Sequence, residues 1–240
     1  QRYAPQRWFE SRGGFPKDMS PRVWCVGDIP EGLEALGEKG EGGPLFPITT
    51  ARVGAGVCMA MRRDVLMEVG PFDPALGAGT STRGGEDLDM FARILATGDV
   101  IIHTPDALVH HRHRVDEAGL DKQIRGNGSG MAALLTKAII EKPSVLCTLV
   151  GRIPGILKRI KPGGARVAGR DDDTPGSLTR SEIKGFLEGP FLYLSSRKRN
   201  RLAPLHPADE PAADATAQNS ADAAPASSEE RGTPEGNTSA

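Results

Sequence analysis

Cysteine is scarce in this sequence of 240 residues: Cys25, Cys58 and Cys147 are odd in number, widely spaced and form no Cys-x-x-Cys pair. Such a set indicates neither a disulfide framework nor a structural zinc site, and it suits a reducing compartment. Long apolar runs are missing as well. Lys, Arg, Pro or Gly interrupts each aliphatic stretch well before the roughly 18 residues that a membrane-crossing helix needs. The opening, Gln1 to Arg12, is polar and has no apolar signal-peptide core. The first residue is Gln and not Met, so we expect a processed chain or a fragment of a longer one. No dinucleotide fingerprint and no P-loop is found, and the isolated glycine-rich stretches read as ordinary turns. Internal repeats are also lacking.

What is present is unevenly distributed. The formal net charge of −1 averages a tail, 206–240, with seven acids and one Arg against a body with a positive excess. From Pro204 onward Ala, Pro, Ser, Thr, Glu and Asp dominate, and such a tail buries too little apolar surface to offset the entropy of ordering. We expect it to be disordered. Between Lys142 and Arg170 stand seven Lys or Arg and no acid, interleaved with Leu, Ile and Val. This pattern suits either a solvated helix face with a Pro-Gly break or a basic amphipathic segment in peripheral contact with a membrane. It lacks the interleaved aromatics of a nucleic-acid surface, so no nucleic-acid partner is expected.

Local patterning predicts an α/β arrangement. A short helix is expected near Gln6–Glu10, followed by loops up to residue 50. Gly54–Met61, small and apolar, reads as a buried strand leading into a helix over Arg63–Val69, stopped by Gly70-Pro71. After a Gly-rich loop, Gly77 to Gly85, the residues Leu88, Phe91, Ala92 and Leu95 recur at helical spacing, with Gly98 as the stop. Val100–His103 reads as a strand before a turn at Pro105. Phe186–Leu194 fits a final helix or strand.

Two constellations could carry chemistry. Gly84-Gly85-Glu86-Asp87-Leu88-Asp89 brings carboxylates to a helix's first turn on a flexible glycine loop, where unpaired N–H groups and the positive dipole end favour ionised acids. A general base needs that ionisation and hydrogen-bond reach to the proton it removes. Helix capping is the ordinary alternative, since acids are common in first turns. The second is His110-His111-Arg112-His113-Arg114, whose imidazoles suit a divalent metal and whose guanidinium groups suit phosphate oxygens. An exposed basic loop is its ordinary alternative.

In order and spacing, the stretch Ala51 to Arg114 resembles the C-terminal half of family 2 glycosyltransferases. The matching text is Gly54-Ala55-Gly56, Met59 to Arg63, Val69 to Gly77, Gly85 to Asp89, Arg93-Ile94-Leu95, Gly98, Pro105 to Val109 and His111 to Arg114. Gln6 to Glu10 and Gly13-Gly14-Phe15 look like the acceptor-side segment of the same family, and Gln123 to Gly130 and a helix over Ala132–Ile140 are also familial in look. The resemblance implies the C-terminal portion of a GT-A, Rossmann-like domain over 1–145, a basic helical or irregular extension over 146–203 and the tail over 204–240. It implies inverting transfer of a sugar from a nucleotide-sugar to an acceptor hydroxyl of a glycan, lipid or small molecule. Asp87 would be the base, with Glu86 beside it, and Asp89 and Trp8 would orient the acceptor. His111, or else His113 or His110, would ligate a divalent metal (Mg or Mn), and Arg114 and Arg112 would touch the diphosphate.

The family's Asp-x-Asp, which belongs to the nucleotide-binding half, has no counterpart here. Asp171-Asp172-Asp173 lies after the His cluster, on the wrong side in chain order. The expectation is therefore a transferase fragment, inactive alone, from a cytoplasmic enzyme that could be peripheral at the inner face of the membrane. Two rivals stand beside it: a non-catalytic membrane- or polymer-binding module, and a metal-dependent hydrolase using Glu86, Asp87 and the His cluster.

Overall fold

A computed structural model describes residues 4–11, 20–109, 114, 116–160 and 175–202, with backbone only at 11, 153, 155–160, 201 and 202. These residues belong to one compact unit, Gln1–Leu202; the second unit, Ala203–Ala240, lies outside the described residues, and the expected disordered tail with it. The fold is mixed α/β, with six helices and a small sheet of three strands among the described residues.

Helix α1, Ala4–Ser11, begins with Pro5 in its first turn, where a missing N–H costs nothing. It lays Trp8 and Phe9 against Leu120, Ile124 and Leu178. Strand β1, Arg22–Trp24, is the centre of the sheet; β2, Glu38–Lys39, pairs with it in parallel and β3, Ile101–His103, antiparallel, with Val23 opposite Ile102. The expectation of loops throughout the region up to residue 50 is thus corrected: Val23, Trp24 and Cys25 are buried, and the first two of this short apolar run lie in the middle strand. A run so short carries almost no alternation, so periodicity does not reveal it.

The expected strand over Gly54–Met61 is not formed. The segment is a chain of turns whose residues are partly or fully exposed. Its backbone groups bond locally, Cys58 N–H to Ala55 O at 3.5 Å, or to a side chain, Gly56 N–H to Asp87 Oδ2 at 2.8 Å. Small residues offer little area to bury, so hydropathy alone overstated the run. Helix α2, Arg63–Val69, follows as expected and ends at Gly70, whose φ of 78° lets its N–H return to Leu66 O.

Helix α3, Glu86–Ala96, buries Met90, Phe91, Ile94 and Leu95. Phe91 and Leu95 meet Trp24 and Val53, so the sheet lies against this helix. Thr97 closes the helix and Gly98, at φ 91°, follows it out. Helix α4, Glu117–Glu141, opens with Asp116 accepting the Gly119 N–H at 2.6 Å. Helix α5, Ser144–Ile160, runs on through Pro154, so the Pro-Gly break expected of this stretch does not occur there; 161–174 lies outside the described residues. The expected boundary at 145/146 falls inside α5. Helix α6, Gly176–Leu202, absorbs Phe186–Leu194 and lies lengthwise on α4.

Glycines set the α4–α6 contact. A Cβ on Gly128 would stand 2.3 Å from Glu182 O, and one on Gly185 would stand 2.0 Å from Arg125 O. Glycine in a helix interior costs roughly 1 kcal/mol relative to alanine. Here the loss is offset by backbone packing that no side chain would permit.

Candidate active site

The carboxylate ledge is the start of α3. Gly85 precedes it at φ 97°, and a Cβ there would lie 2.7 Å from Gly130 O, so glycine is required both by conformation and by space. The loop behind it is not slack. Gly77 and Gly84 form a bridge, Thr82 is fully buried with Thr80 Oγ1 2.8 Å from its own hydroxyl, and Ser129 Oγ of α4 donates to Thr82 O at 2.7 Å. The expected flexible glycine tether is instead a wound loop seated on α4.

On this ledge Asp87 is partly buried and each of its oxygens accepts a backbone N–H: Oδ2 from Gly56 and Oδ1 from Leu88, both at 2.8 Å. The Leu88 contact satisfies an otherwise unpaired first-turn donor. The Gly56 contact reaches across 31 positions in sequence and fixes the direction of the carboxylate. A carboxylate has about four lone-pair sites, so two remain after these bonds. The N-cap position is Gly85, which has no side chain. Glu86, also partly buried, accepts the Ala78 N–H at 3.3 Å.

Asp89 faces the other way. It is 4% exposed and takes Lys137 Nζ at 2.5 Å on one oxygen and Arg93 Nε at 2.9 Å on the other. Lys137 itself is buried and also lies 3.7 Å from Asp73, whose Oδ2 accepts the Tyr193 hydroxyl at 3.0 Å. Burial, with the Asp73 carboxylate beside it, pushes the Tyr193 phenol well above its ordinary range. Arg93 continues outward to Val69 O at 2.5 Å and Pro71 O at 3.0 Å. Asp89, expected to orient an acceptor, is thus committed to a buried network joining α3, α4, α6 and the end of α2.

Trp8 stands apart from the ledge. It lines an open cleft of about 280 Å³ with Asp121 and Ser177 among its neighbours, and none of the residues 86–89 borders that cleft. Arg114 is described and exposed, whereas His110, His111, Arg112 and His113 lie outside the described residues. Among the described residues no group of three or more His, Cys, Asp or Glu is placed to hold a metal. No helix among them is long and apolar enough to cross a membrane.

The structure thus brings together Glu86 and Asp87, turns Asp89 inward and sets Trp8 in a separate cleft. Gly56, Asp73, Lys137 and Tyr193 carry parts of the architecture to which sequence reasoning assigned no role. One signal was available for Lys137: a lone cation among Ala132, Ala133 and Leu134 on a helix needs an acid partner when that face is buried. No family model, curated protein or solved structure matches the chain.

Proposed function

We propose that this chain is the acceptor-side part of an inverting, GT-A-type family 2 glycosyltransferase, with Asp87 as general base. The observation that carries the reading is the Asp87 carboxylate itself, held in the first turn of α3 by two backbone donors and still partly exposed. A residue serving only as a cap has no need of the cross-chain bond to Gly56. The sequence resemblance supplies the reaction class; the geometry supports a positioned, solvent-reachable acceptor of a proton.

In this proposal an acceptor hydroxyl bonds to a free lone pair of Asp87. Its proton passes to the carboxylate as the oxygen attacks the anomeric carbon of the nucleotide-sugar. The bond from that carbon to the diphosphate oxygen breaks on the opposite face, and the nucleoside diphosphate leaves with the electron pair. Glu86, tied to the 77–78 turn, borders the acceptor side. A divalent metal would supply charge neutralisation at the diphosphate, with His111 and the neighbouring His and Arg residues as the proposed contacts. The nucleotide-binding half would come from a longer chain, and the enzyme would work in the cytoplasm.

The test is Asp87→Asn in the full-length enzyme assayed with sugar nucleotides. Loss of transfer in a variant that still folds and still binds acceptor supports the base, with only the small loss of stability expected from the one backbone N–H that an amide nitrogen cannot accept. Unchanged transfer would reduce Asp87 to a helix-stabilising residue and remove the reading's main support.

A further inference from the structure

Helix α6 has two faces of opposite character. One is closed onto α4 through Gly185, Gly189 and Tyr193. The other presents Ile183, Leu187, Phe191 and Leu194 to solvent, at 55%, 68%, 76% and 49% exposure. Their spacing of four, four and three residues puts them in one stripe along the helix. An open depression of about 400 Å³ runs beside it, lined by Arg180, Ile183, Lys184, Leu187, Glu188 and Phe191. Large apolar side chains standing together in water are unusual unless something covers them.

The charges around the stripe indicate what covers it. Arg180, Lys184 and Lys198 are exposed at or near the same helical face. The helix contains only two acids, Glu182 and Glu188, and neither is exposed. Glu188, the one that borders the depression, is neutralised by Arg125 at 2.5 Å and Arg83 at 3.7 Å. The outward face therefore combines bulky apolar groups with exposed cations, Lys184 acting also on the already paired Glu188 one turn away. A helix of this kind, too polar to cross a bilayer, lies in its interface, with apolar groups among the upper acyl chains and Lys and Arg on anionic headgroups.

We propose that the outward face of α6 docks on an anionic lipid membrane. The surface is distinct from the ledge at Asp87, and the inference does not depend on the transferase reading. It also differs from a membrane contact through the basic stretch 142–170, because the stripe lies on another helix.

The experiment is co-sedimentation of the full chain with phosphatidylcholine vesicles, with and without phosphatidylglycerol. We expect binding to the phosphatidylglycerol vesicles that weakens at least about tenfold on pure phosphatidylcholine and falls as salt is raised. Leu187→Glu with Phe191→Glu should lose at least about tenfold in affinity, and Lys184→Glu a smaller factor, with unchanged helical circular dichroism and melting. Arg152→Glu, on α5, should leave most of the binding in place. Absence of vesicle binding would overturn the proposal, as would binding that survives the Leu187/Phe191 pair. A dimer in light scattering that this pair dissociates, with no affinity for vesicles, would overturn it too and make the face a contact between copies.

Discussion

The start of α3 and helix α6 both rest on α4, yet the ledge on the one and the outward face of the other are built in opposite ways. At the start of α3 each described acid has a defined partner: Gly56 and Leu88 for Asp87, Ala78 for Glu86, Lys137 and Arg93 for Asp89. On α6 the apolar stripe from Ile183 to Leu194 is left in water while the opposite side packs so closely that glycine is required. The comparison separates two uses of one scaffold. A polar ledge held from several directions can fix a carboxylate to within a rotamer, which proton transfer needs. An apolar face needs no such fixation, because burial of area is not directional.

The comparison can be broken at the ledge first. Asp87→Asn keeps the shape and one of the two backbone contacts, since the amide nitrogen cannot accept an N–H, and it removes the base; kcat in the full-length enzyme should fall about 100- to 10,000-fold, while stability falls by only about 1–3 kcal/mol for the lost contact. Steady-state kinetics beside a thermal scan would check it. Equal losses of activity and stability would make Asp87 part of the scaffold.

Next in size is the network beneath it. Lys137→Met leaves the buried Asp89 and the partly buried Asp73 without their shared cation, and removing one partner of a buried pair costs about 3–5 kcal/mol. The lower end is expected, since Arg93 still holds one Asp89 oxygen. Urea unfolding would measure it. Tyr193→Phe should cost less, about 1 kcal/mol, for the lost bond to Asp73.

The α4–α6 seam can be tested by Gly185→Val. The added Cβ meets the backbone of Arg125, which cannot rotate away, so the gain in helix propensity is outweighed and a net loss of about 1–3 kcal/mol is expected. Denaturant titration gives the sign directly; a stabilised variant would mean that the helices part without penalty.

The smallest effect belongs to the ion pair at the edge of the seam. Arg125 holds the Glu188 carboxyl below its ordinary 4.5, chiefly through their hydrogen bond. A lowered native value means that the contribution is present above that ordinary value and is lost as pH falls through the native one. Because the pair is partly exposed, Glu188→Gln should cost at most about 1 kcal/mol at neutral pH and make unfolding less pH-dependent below about pH 4.5. Melting curves from pH 7 down to pH 3 would show it.

Much of this was legible in the sequence where the signal is local. The helix over Arg63–Val69 and its stop at Gly70 follow from helical patterning and a left-handed glycine, and α3 with Gly98 behind it follows from its apolar spacing. The acids of the α3 first turn were visible, but the opposite directions of Asp87 and Asp89 were not: positions two apart on a helix face away from each other, and which one meets solvent depends on where α4 lies. Gly54–Met61 misled because small apolar residues look buried by hydropathy, while their hydrogen bonds are made locally and to Asp87. His110 to His113 lie outside the described residues.

By itself, then, the sequence determined the helices with strong period and clear stops, the carboxylates at a helix start and the cation-rich character of the stretch 142–170. Dihedral preference, capping and periodicity act over a few residues, and one strand of text contains them. Only the tertiary structure decided that Gly56 aims Asp87, that Lys137 joins Asp89 to Asp73, that glycines on α4 and α6 meet backbone to backbone, and that one side of α6 is left uncovered. These depend on distances between segments far apart in the chain, which only the packing of the whole fixes.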